Sequence, residues 1–393
     1  MLGQTKSFQR NTNLAIVLQT IRYNEAISRI EIAKQLGLNK STITHIVTQL
    51  LQNKVIKVQS EGQVSSSGGR KPILLTLNGE FGCVLGMEIR FNRCRAVLLS
   101  MVGELLLDRE IALDSVEGDF SEAFFSCFDS MQADIKKLGI PLIGIGLGVP
   151  ANVDPHSGRI IRSYSLELDN YEFGARVASH LNYPVILDND ANCCAWGELY
   201  KSGTKGPDNF IYVLPKFKTR EEEDYKGLNA VGIGIGVVIN KQVYYGSNHA
   251  AGEFRSAFWT EPQKELVNIP SNELLQINTD KTVLREFAKE LLVNLSVVSS
   301  VLDPGCIFIG GDLNDHFKVI EDILANELVH HYIANESSRC RVLAHAFDKN
   351  SVAEGAARMF LQRLFNIPSL KKSRSYITLS WDRIFSNSGW DDS

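Results

Sequence analysis

Two carboxylates and one amide are the side chains of this sequence best suited to act on hydroxyl groups. Asn189 and Asp190 come shortly after the apolar run 185–187, and Glu253 follows the small residues 251–252. A carboxylate can accept the proton of a hydroxyl, and carboxylate and amide groups can hold neighbouring hydroxyls by hydrogen bonds. Because these groups stand at predicted strand ends beside small residues, they could surround a polyol.

A second set of polar side chains belongs to a predicted helix-turn-helix. Ser28 and Glu31 have the spacing of a capping box, which starts a helix that runs to Leu36, and Gly37 ends that helix in a tight turn. The next helix begins after Asn39 with hydroxyls, amides and cations on its outer face. Such groups near a helix N-terminus suit phosphates and base edges in a major groove. The candidate DNA-binding residues are Arg29, Asn39, Lys40, Ser41, Thr42, Thr44, His45 and Gln49.

Two short apolar runs after this helix predict the strands of a wing. The loop between them ends in Gly68-Gly-Arg-Lys-Pro72, where small residues would let Arg70 enter a narrow minor groove. We therefore add Arg70 and Lys71 to the candidate DNA contacts. Two plainer interpretations stay open: the loop could be a flexible linker with incidental charge, and the helical face could be the polar side of an ordinary three-helix cap.

The composition is that of an ordinary globular protein of two or three domains. The chain has 393 residues, of which 44% are hydrophobic and 22% charged. No run of 18 apolar residues occurs and the first residues lack the apolar core of a signal peptide, so we predict a cytoplasmic protein with no membrane partner. Seven cysteines at irregular spacing argue against a disulfide framework and are predicted to be buried small side chains.

Charge is unevenly distributed along the chain. Residues 1–72 carry ten lysines and arginines against three glutamates, a formal charge of +7, so the total of −4 leaves −11 on the remainder. A basic head on an acidic body is typical of a protein that touches polyphosphate only at its head. This asymmetry favours the DNA-binding interpretation of the helix-turn-helix.

Apolar runs with the length of strands alternate with helical patterns from residue 81 onward. This alternation predicts an α/β body, and a separate helix is predicted at about 12–23. The predicted strands of the body are 83–89, 96–101, 142–149, 185–187, 210–214, 230–239 and 306–309. The predicted helices are 120–138, 171–182, 191–201, 282–302, 314–331 and 351–365. A last stretch, 375–381, is predicted to be strand-like.

Several motifs occur together in the order found in the ROK family of repressors, open reading frames and kinases, which the sequence resembles over about residues 12–365. They are Gly69-Arg-Lys-Pro72, Gly144-Ile-Gly-Leu-Gly-Val-Pro150, Leu187-Asp-Asn-Asp-Ala-Asn192, Gly232-Ile-Gly-Ile-Gly236, Ala251-Gly-Glu253, Leu302-Asp-Pro304 and Ile309-Gly-Gly311. The resemblance implies an N-terminal winged helix-turn-helix followed by two α/β lobes of the actin and sugar-kinase fold, which close on a cleft. The corresponding domains are 1–72, 73–190 and 191–370, with a tail of unknown role at 371–393.

The resemblance also implies roles for individual polar residues. Asp190 matches the family's catalytic aspartate, and Asn189 and Glu253 match residues that hydrogen-bond the sugar. Asp169 and Asn170 follow the fold position from which family members reach the sugar ring, and they are weaker candidates. These five residues form the candidate effector site. The alternative is that they are polar residues that the cleft has kept without binding a sugar.

The nucleotide side of the family's site is altered in this sequence. Where the kinases have Asp-x-Gly-Gly-Thr at the first strand, this chain has Glu88-Ile-Arg-Phe-Asn92, whose side chains would stand where bare backbone must approach phosphates. Val231 replaces a threonine beside the glycines of 232–236, and a charged stretch, 216–226, is inserted before it. Glycine runs of this kind also serve tight packing. We therefore expect no kinase activity and no bound cofactor.

The zinc ligands of the family are missing as well. Most members have a Gly-His pair after Ala-Gly-Glu and then a C-x-C-G-x-x-G-C cluster that binds structural zinc. Here Ser256 occupies the histidine position, and no cysteine occurs between residues 195 and 305. We expect no bound metal, and one sugar contact that the histidine often supplies is missing.

The sequence therefore predicts a transcriptional regulator of carbohydrate metabolism, a repressor rather than an enzyme, that binds double-stranded operator DNA as a homodimer. A sugar or sugar derivative held between the lobes would change their closure and hence the spacing of the two heads. Two alternatives stay open: a sugar kinase with an appended DNA-binding head, and a regulator controlled by a protein partner without a sugar ligand.

Overall fold

A computed structural model of the chain has a helical head on a two-lobed α/β body, which confirms the predicted fold class. It describes residues 2–61, 71–113, 119–203, 205–218, 229–261, 264–331, 333–335, 338–345, 351–367, 376–377 and 379–386. None of the helices within these ranges combines the length and apolarity needed to cross a membrane. All seven cysteines are free and six are buried, which confirms the prediction that they are small interior side chains.

The head combines three helices with a small antiparallel sheet. Its elements are α1 (Leu2–Tyr23), β1 (Ile27–Ser28), α2 (Arg29–Leu36), α3 (Lys40–Gln52), β2 (Ile56–Glu61) and β3 (Ile73–Leu77), with the strands in the order β1-β3-β2. The predicted capping box is confirmed, because the Ser28 hydroxyl accepts the Glu31 N–H and the Glu31 carboxylate accepts the Ser28 N–H. Gly37 ends α2 with a φ of 64°, a left-handed conformation that glycine adopts without strain.

The first lobe is built on a five-stranded sheet. Its elements are β4 (Cys83–Ile89), β5 (Arg93–Ser100), β6 (Leu105–Ala112), α4 (Phe120–Leu138), β7 (Leu142–Val149), β8 (Asn152–Asp154), β9 (Arg159–Ser163), β10 (Leu168–Tyr171), α5 (Phe173–Ala178) and β11 (Val185–Asn189). The sheet order is β11-β7-β4-β5-β6, and β8 to β10 form a separate small sheet. Because β4, β7 and β11 run parallel, their carboxyl ends meet at one edge of the sheet.

The second lobe holds another five-stranded sheet, in the order β14-β13-β12-β15-β18. Its elements begin with α6 (Asp190–Ser202), β12 (Phe210–Phe217), β13 (Val231–Ile239), β14 (Gln242–Val243), α7 (Ser271–Leu274), α8 (Lys281–Leu302) and β15 (Cys306–Ile309). They continue with α9 (Phe317–Asn326), β16 (Ile333–Asn335), β17 (Ser338–Arg339), β18 (Arg341–Ala344), α10 (Ser351–Phe365) and α11 (Trp381–Ser386).

Helix α10 returns to the first lobe and packs across its sheet. Side chains at Gly86 and Gly146 would collide with the backbone of α10 at Ala353 and Ala356, so these two glycines allow the close approach of the helix. Buried residues of α6 and α10 also belong to the same apolar cluster as the core of the head. The head is therefore joined to the body by a continuous core.

The structure differs from the sequence prediction in several places, which include the unpredicted strands β8–β10 and β16–β18 and the unpredicted helix α7. The strand-like prediction for 375–381 is wrong at its end, because Trp381 starts α11 and buries its ring together with Ile384 at helical spacing. Strand β6 was not predicted, because all of its side chains are exposed or half-buried and its apolar run, 105–107, is only three residues long. Helix α1 begins well before the predicted residue 12.

Candidate functional site

A cavity of about 760 Å³ lies between the two lobes. The first lobe contributes the segments 150–153 and 162–165, and the start of α6 contributes Asn189, Asp190 and Asn192. The second lobe contributes residues of β12 and β13 and the segment 251–255. The sheet edge where β7 and β11 end thus faces the second sheet across the cavity. The cavity has the size of a small-molecule site.

The carboxylate of Asp190, at the start of α6, is bound to a lysine of β12. Lys216 Nζ, on β12, lies 3.0 Å from Asp190 Oδ2 and 2.6 Å from Glu88 Oε1, at the end of β4. All three side chains are largely buried, with 15% of Lys216 and about a tenth of each carboxylate exposed. The ammonium group therefore stands between the two carboxylates, and we call this arrangement the cleft triad.

Burial and opposite charge compete within the cleft triad. Burial alone lowers the pKa of Lys216, but the charges of Asp190 and Glu88 outweigh it and raise that pKa above its ordinary value. Burial likewise raises the pKa of Glu88, but Lys216 and Arg90 outweigh it, and the net pKa is lowered. Lys216 and Glu88 are therefore both held in their charged forms at neutral pH.

Lys216 had not been predicted as a site residue, although it opens the charged stretch 216–226. A signal was present, because Lys216 is a single cation in the otherwise apolar run Phe210–Phe217. A charge in such a run requires a buried partner. Its partners could not be named from the sequence, since Glu88 is 128 residues away.

Asn189, a predicted sugar contact, is used to cap α6. Its Oδ1 accepts the N–H groups of Ala191 and Asn192, and its Nδ2 donates to the carbonyl oxygen of Ala151. These bonds occupy most of the hydrogen-bonding capacity of the amide. Asn189 lines the cavity, but its main observed role is to start α6 and fix Asp190.

Glu253, the other predicted sugar contact, faces the cavity from the second lobe. Within the described residues, its carboxylate has no hydrogen bond or ion pair. Partial burial, with a smaller contribution from the charge of Asp190, raises the pKa of Glu253. An acceptor of this kind is available to a hydroxyl of a ligand.

The two weaker candidates, Asp169 and Asn170, lie outside the cavity lining. Asp169 is exposed and pairs with Arg162 at 3.2 Å, and Asn170 has a φ of 48° in β10. The neighbouring strand β9 and the turn after it line the cavity instead, through residues 162–165. The geometry therefore gives Asp169 and Asn170 no direct path to a ligand in this cleft.

Side chains occupy the turn where the kinases carry bare glycine backbone. Arg90 and Phe91 both line the cavity between β4 and β5. Across from them, side chains at Gly234 and Gly236 would meet Ala191 at 3.0 Å and 2.8 Å, so both glycines allow α6 to pack against β13. Gly232 has no such neighbour, since only the Lys216 carbonyl oxygen lies nearby, at 3.9 Å.

Ser256, at the position of the family histidine, is a structural residue here. It is buried, and its hydroxyl accepts hydrogen bonds from Asn294 Nδ2 and the Phe258 N–H. Asn294 in turn accepts the N–H of Ala257, which fixes this segment on α8. Among the described residues, no three His, Cys, Asp or Glu side chains are grouped in a way that could hold a metal ion.

A buried network beside the cleft joins both lobes and α10 through Asp188. Its Oδ2 accepts from Tyr245 Oη at 2.6 Å, Arg363 at 3.2 Å and Trp196 at 3.3 Å. Burial and then the charge of Asp188 raise the pKa of Tyr245, so its hydroxyl stays protonated and donates. These residues had not been predicted, because they are far apart in the sequence.

The described residues among the predicted DNA contacts are all exposed or half-buried on the head. Asn39, Lys40, Ser41, Thr44 and His45 are exposed, whereas Arg29, Thr42 and Gln49 are half-buried. Ile43, Val47 and Leu50 of α3 are buried beneath them, and the Asn39 side chain makes no capping bond. Lys71 is exposed beside β3, and Arg70 lies outside the described residues.

The head contacts the body through α1. The Arg22 guanidinium lies 3.9 Å from the centre of the Tyr200 ring in α6, and its Nη1 donates to Gln362 Oε1 at 3.1 Å. Gln19 Nε2 donates to the carbonyl oxygen of Phe365 at the end of α10. Helix α6 therefore runs from the cleft, at Asp190, to the head, at Tyr200.

Two family models match this chain: the ROK family over residues 84–255 and the MarR family over residues 13–61. The putative xylose repressor of Caldicellulosiruptor sp. (strain Rt8B.4) is 29% identical over 62% of this chain and 58% of its own length. The xylose repressor of Bacillus subtilis (strain 168) is 28% identical over 63% of this chain and 60% of its own length. Escherichia coli (strain K12) NagC, a DNA-binding transcriptional dual regulator, is 24% identical over 62% of this chain and 56% of its own length. The matches span less than two thirds of these relatives.

Solved structures share the fold. A ROK family transcriptional regulator described as a homologue of the E. coli MLC protein superposes with a TM-score of 0.73 and 17% identity, over 96% of this chain and 100% of its own. A ROK family glucokinase from Streptomyces griseus, in complex with glucose and AMPPNP, has a TM-score of 0.54 and 18% identity, over 70% of this chain and 98% of its own. The body of the chain thus matches the ROK family model over residues 84–255, and its head matches the MarR family model over residues 13–61.

Proposed function

We propose that this protein is a transcriptional repressor that binds operator DNA through its head and a carbohydrate in the cleft between its lobes, without transferring a phosphoryl group. The corresponding domains are 1–72 for the DNA-binding head, 73–190 and 191–370 for the two lobes, and 371–393 for the tail. Relatives named xylose repressor and the dual regulator NagC support this assignment.

The observation that carries the non-enzymatic part of the proposal is the cleft triad. A catalytic carboxylate must be free to accept the proton of the attacking hydroxyl. Asp190 is instead paired with Lys216 at 3.0 Å, so an ammonium group already occupies the carboxylate oxygen that would have to face the hydroxyl. Arg90 and Phe91 also project where a kinase needs open backbone for the phosphates.

The exposed face of α3 supports DNA binding. Lys40, Ser41, Thr44 and His45 are exposed around the first turns of α3, on a head whose formal charge is +7 over residues 1–72. Gly37 ends α2 in a left-handed turn before α3, and the buried Ile43, Val47 and Leu50 pack α3 against the rest of the head. As a homodimer, the protein would present two such helices to the half-sites of a palindrome.

A physical connection between the cleft and the head supports regulation by a ligand. Asp190 and Tyr200 lie on the same helix, α6, about 15 Å apart at 1.5 Å per residue. Tyr200 contacts Arg22 of α1, and Asp188 ties β11 to Arg363 of α10. A ligand that changes lobe closure would therefore move α6 and α10 under the head.

Operator binding tests the proposal directly. Full-length protein would be titrated into labelled DNA from upstream of its own gene and the adjacent genes, with a panel of sugars, and the dissociation constant measured by fluorescence anisotropy. We expect specific binding that one sugar weakens, and Glu253→Gln should lose that response but keep its affinity for DNA. Glu286→Gln, at an exposed position of α8, is the matched control. Failure to distinguish these DNA segments from unrelated DNA would refute the proposal.

The kinase alternative is tested separately. The protein would be incubated with ATP, magnesium and the same sugars, and ADP release would be measured. We expect no turnover above background. Turnover that Asp190→Asn abolishes would identify a sugar kinase with an appended head instead.

A further inference from the structure

The tail of the chain, after α10, connects the first lobe to the head. Its described residues from 376 onward are 376–377 and 379–386. At one end, the Tyr376 N–H donates to the carbonyl oxygen of His156 at 2.8 Å, and the Tyr376 hydroxyl donates to the carbonyl oxygen of Val185 at 2.7 Å. At the other end, Trp381 begins α11. Tyr376 and Trp381 are five residues apart, a distance of at most about 18 Å when the chain is fully extended, so this link is short.

The ring of Tyr376 is built into the first lobe. Side chains at Gly158 and Gly174 would each lie 2.7 Å from atoms of this ring, so both glycines make room for it. Gly158 has a φ of 71° and ends the turn 155–158 between β8 and β9, and its carbonyl oxygen accepts the Gly174 N–H at 2.9 Å. The ring of Tyr376 therefore occupies a prepared position between this turn and the start of α5.

The other end of the tail is fixed to the core of the head. Trp381 and Ile384 of α11 are buried in the apolar cluster that also contains the buried face of α1. Asp382 pairs with Arg10 of α1 at 3.6 Å, but both side chains are about half exposed, so this ion pair contributes little stability. The attachment of the tail to the head is therefore mainly apolar.

The turn 155–158 also meets the cleft. The strand that precedes it lines the cavity through residues 152–153. The Asp154 carboxylate accepts the His156 N–H at 2.9 Å and the Ser157 hydroxyl at 2.7 Å, which fixes the turn. From the second lobe, His249 lines the cavity, and its Nε2 lies 3.6 Å from Asp154 Oδ1. A change in lobe closure that moves one of these two side chains therefore displaces the turn.

From these contacts we propose that the tail is a tether that carries movements of the cleft to the DNA-binding head, with Tyr376 as its positioning residue. Closure of the lobes shifts the turn 155–158, and the turn shifts Tyr376. The short segment from Tyr376 to Trp381 passes this shift to α11 and α1. The route does not include α6. This inference rests on the proposed regulation of the head by the cleft.

Hydrogen exchange of the full-length protein tests the mechanical connection without DNA or sugar. Tyr376→Ala removes the ring and its hydroxyl, and we expect the backbone amides of α11 to exchange about ten-fold faster. Tyr376→Phe keeps the ring between Gly158 and Gly174 and should have a smaller effect. Tyr244→Ala, at a position that is 51% exposed, is the matched control and should leave α11 unchanged. Unchanged exchange of α11 in Tyr376→Ala would contradict the tether.

A double-mutant cycle on operator binding tests transmission from the cleft. His249→Ala removes the contact with Asp154 across the cleft. We expect it to change the operator dissociation constant several-fold in the wild-type background and by less than about two-fold in the Tyr376→Ala background. A tyrosine with a purely structural role would leave the two effects additive. Equal effects of His249→Ala in both backgrounds, or no effect in either, would overturn the inference.

The two measurements also separate this inference from the proposed function. If the wild-type protein binds no operator, the proposed function is wrong, and the exchange of α11 still decides whether the tether exists. If Tyr376→Ala binds operator and keeps the full wild-type response to the sugar panel, the proposed function stands and the tether is wrong. Tyr376→Phe takes the place of the alanine variant in both experiments if Tyr376→Ala does not fold.

Discussion

The guanidinium group of Arg22 lies 3.9 Å from the centre of the Tyr200 ring, at the point where the head meets the body. Arg22 belongs to α1 of the head, and Tyr200 belongs to the helix whose first residue is Asp190. A cation over an aromatic ring at this distance stabilises the contact between the two elements. A movement of α6 that begins at the cleft can therefore reach α1 through this pair of side chains, in addition to the contacts of α1 with α10.

The Arg22 contact should be required for communication between the cleft and the DNA. Tyr200→Leu removes the ring and should weaken the association of head and body by about 1–2 kcal/mol, with a reduced effect of the ligand on operator affinity. Tyr200→Phe keeps the ring and should retain most of that effect. The measurement is the ratio of operator dissociation constants with and without ligand in each variant. If Tyr200→Leu left the ratio of dissociation constants unchanged, the Arg22–Tyr200 contact would not transmit the effect of the ligand to the DNA.

Removal of the central cation of the cleft triad should strongly destabilise the protein. Lys216→Met would leave the carboxylates of Glu88 and Asp190 buried without a counter-charge, and we expect the free energy of unfolding to fall by about 3–5 kcal/mol. Adding Glu88→Gln and Asp190→Asn should recover much of this stability. Urea denaturation measures each variant, with Lys137→Met as the exposed control. If Lys216→Met were as stable as the wild-type protein, the ion pairs of Lys216 would not contribute this free energy of unfolding.

The same triad should make stability depend on pH in the acid range. Although burial opposes it, the charges of Lys216 and Arg90 hold the pKa of Glu88 in the folded protein below its ordinary value of 4.5. The contribution of the Glu88 carboxylate to the free energy of unfolding is therefore complete above pH 4.5. It is lost as the pH falls through the lower pKa of Glu88 in the folded protein. Urea denaturation from neutral to acid pH should show wild type losing its advantage over Glu88→Gln. A constant difference between the two proteins would contradict this assignment.

Lys40 should contribute to operator binding by neutralising a phosphate. Lys40→Ala should weaken binding to all DNA sequences, and it should lower the slope of log affinity against log salt by about 0.9, the value for one phosphate no longer neutralised. Lys40 is exposed at the first residue of α3, so its removal should not change the stability of the head. Anisotropy titrations at several salt concentrations measure the slope, with Lys137→Ala as the control. An unaltered slope would place Lys40 away from the DNA.

The aromatic side chain at the start of α11 should hold the tail against the head and α10. Trp381 is 6% exposed, and its ring centre lies 5.5 Å from that of Phe365. Trp381→Ala should reduce the free energy of unfolding by about 3–5 kcal/mol. Trp381→Phe should cost much less, because the indole N–H makes no hydrogen bond to the described residues. Equal stability of the two variants would argue against this packing.

Sequence reasoning was most successful where a buried run of residues determines the local structure. Strands β4, β7 and β15 were predicted with their observed bounds, because apolar residues and glycines make up nearly all of each strand. The capping box of α2 was equally clear, because Ser28 and Glu31 are close in the sequence. Features that depend on a few neighbouring residues can be predicted without knowing the rest of the fold.

The chemistry of the cleft could be predicted only in part. Asp190 and Glu253 were found through their motifs, and both line the cavity. Lys216 was missed as the partner of Asp190, because only the pairing of two lobes brings β12 to the start of α6. Asn189 was identified, but its use as a helix cap depends on the backbone geometry at that position.

The position of Lys216 also limits how this protein can change over evolutionary time. Phosphoryl transfer at this site would require Asp190 to lose its lysine partner, yet replacing Lys216 alone leaves two buried carboxylates, 26 and 128 residues distant in the chain, without a counter-charge. Such an intermediate would be selected against for poor stability before it gained any activity. Because each single substitution in the cleft triad would lower the stability of the protein, several of its residues would have to change together.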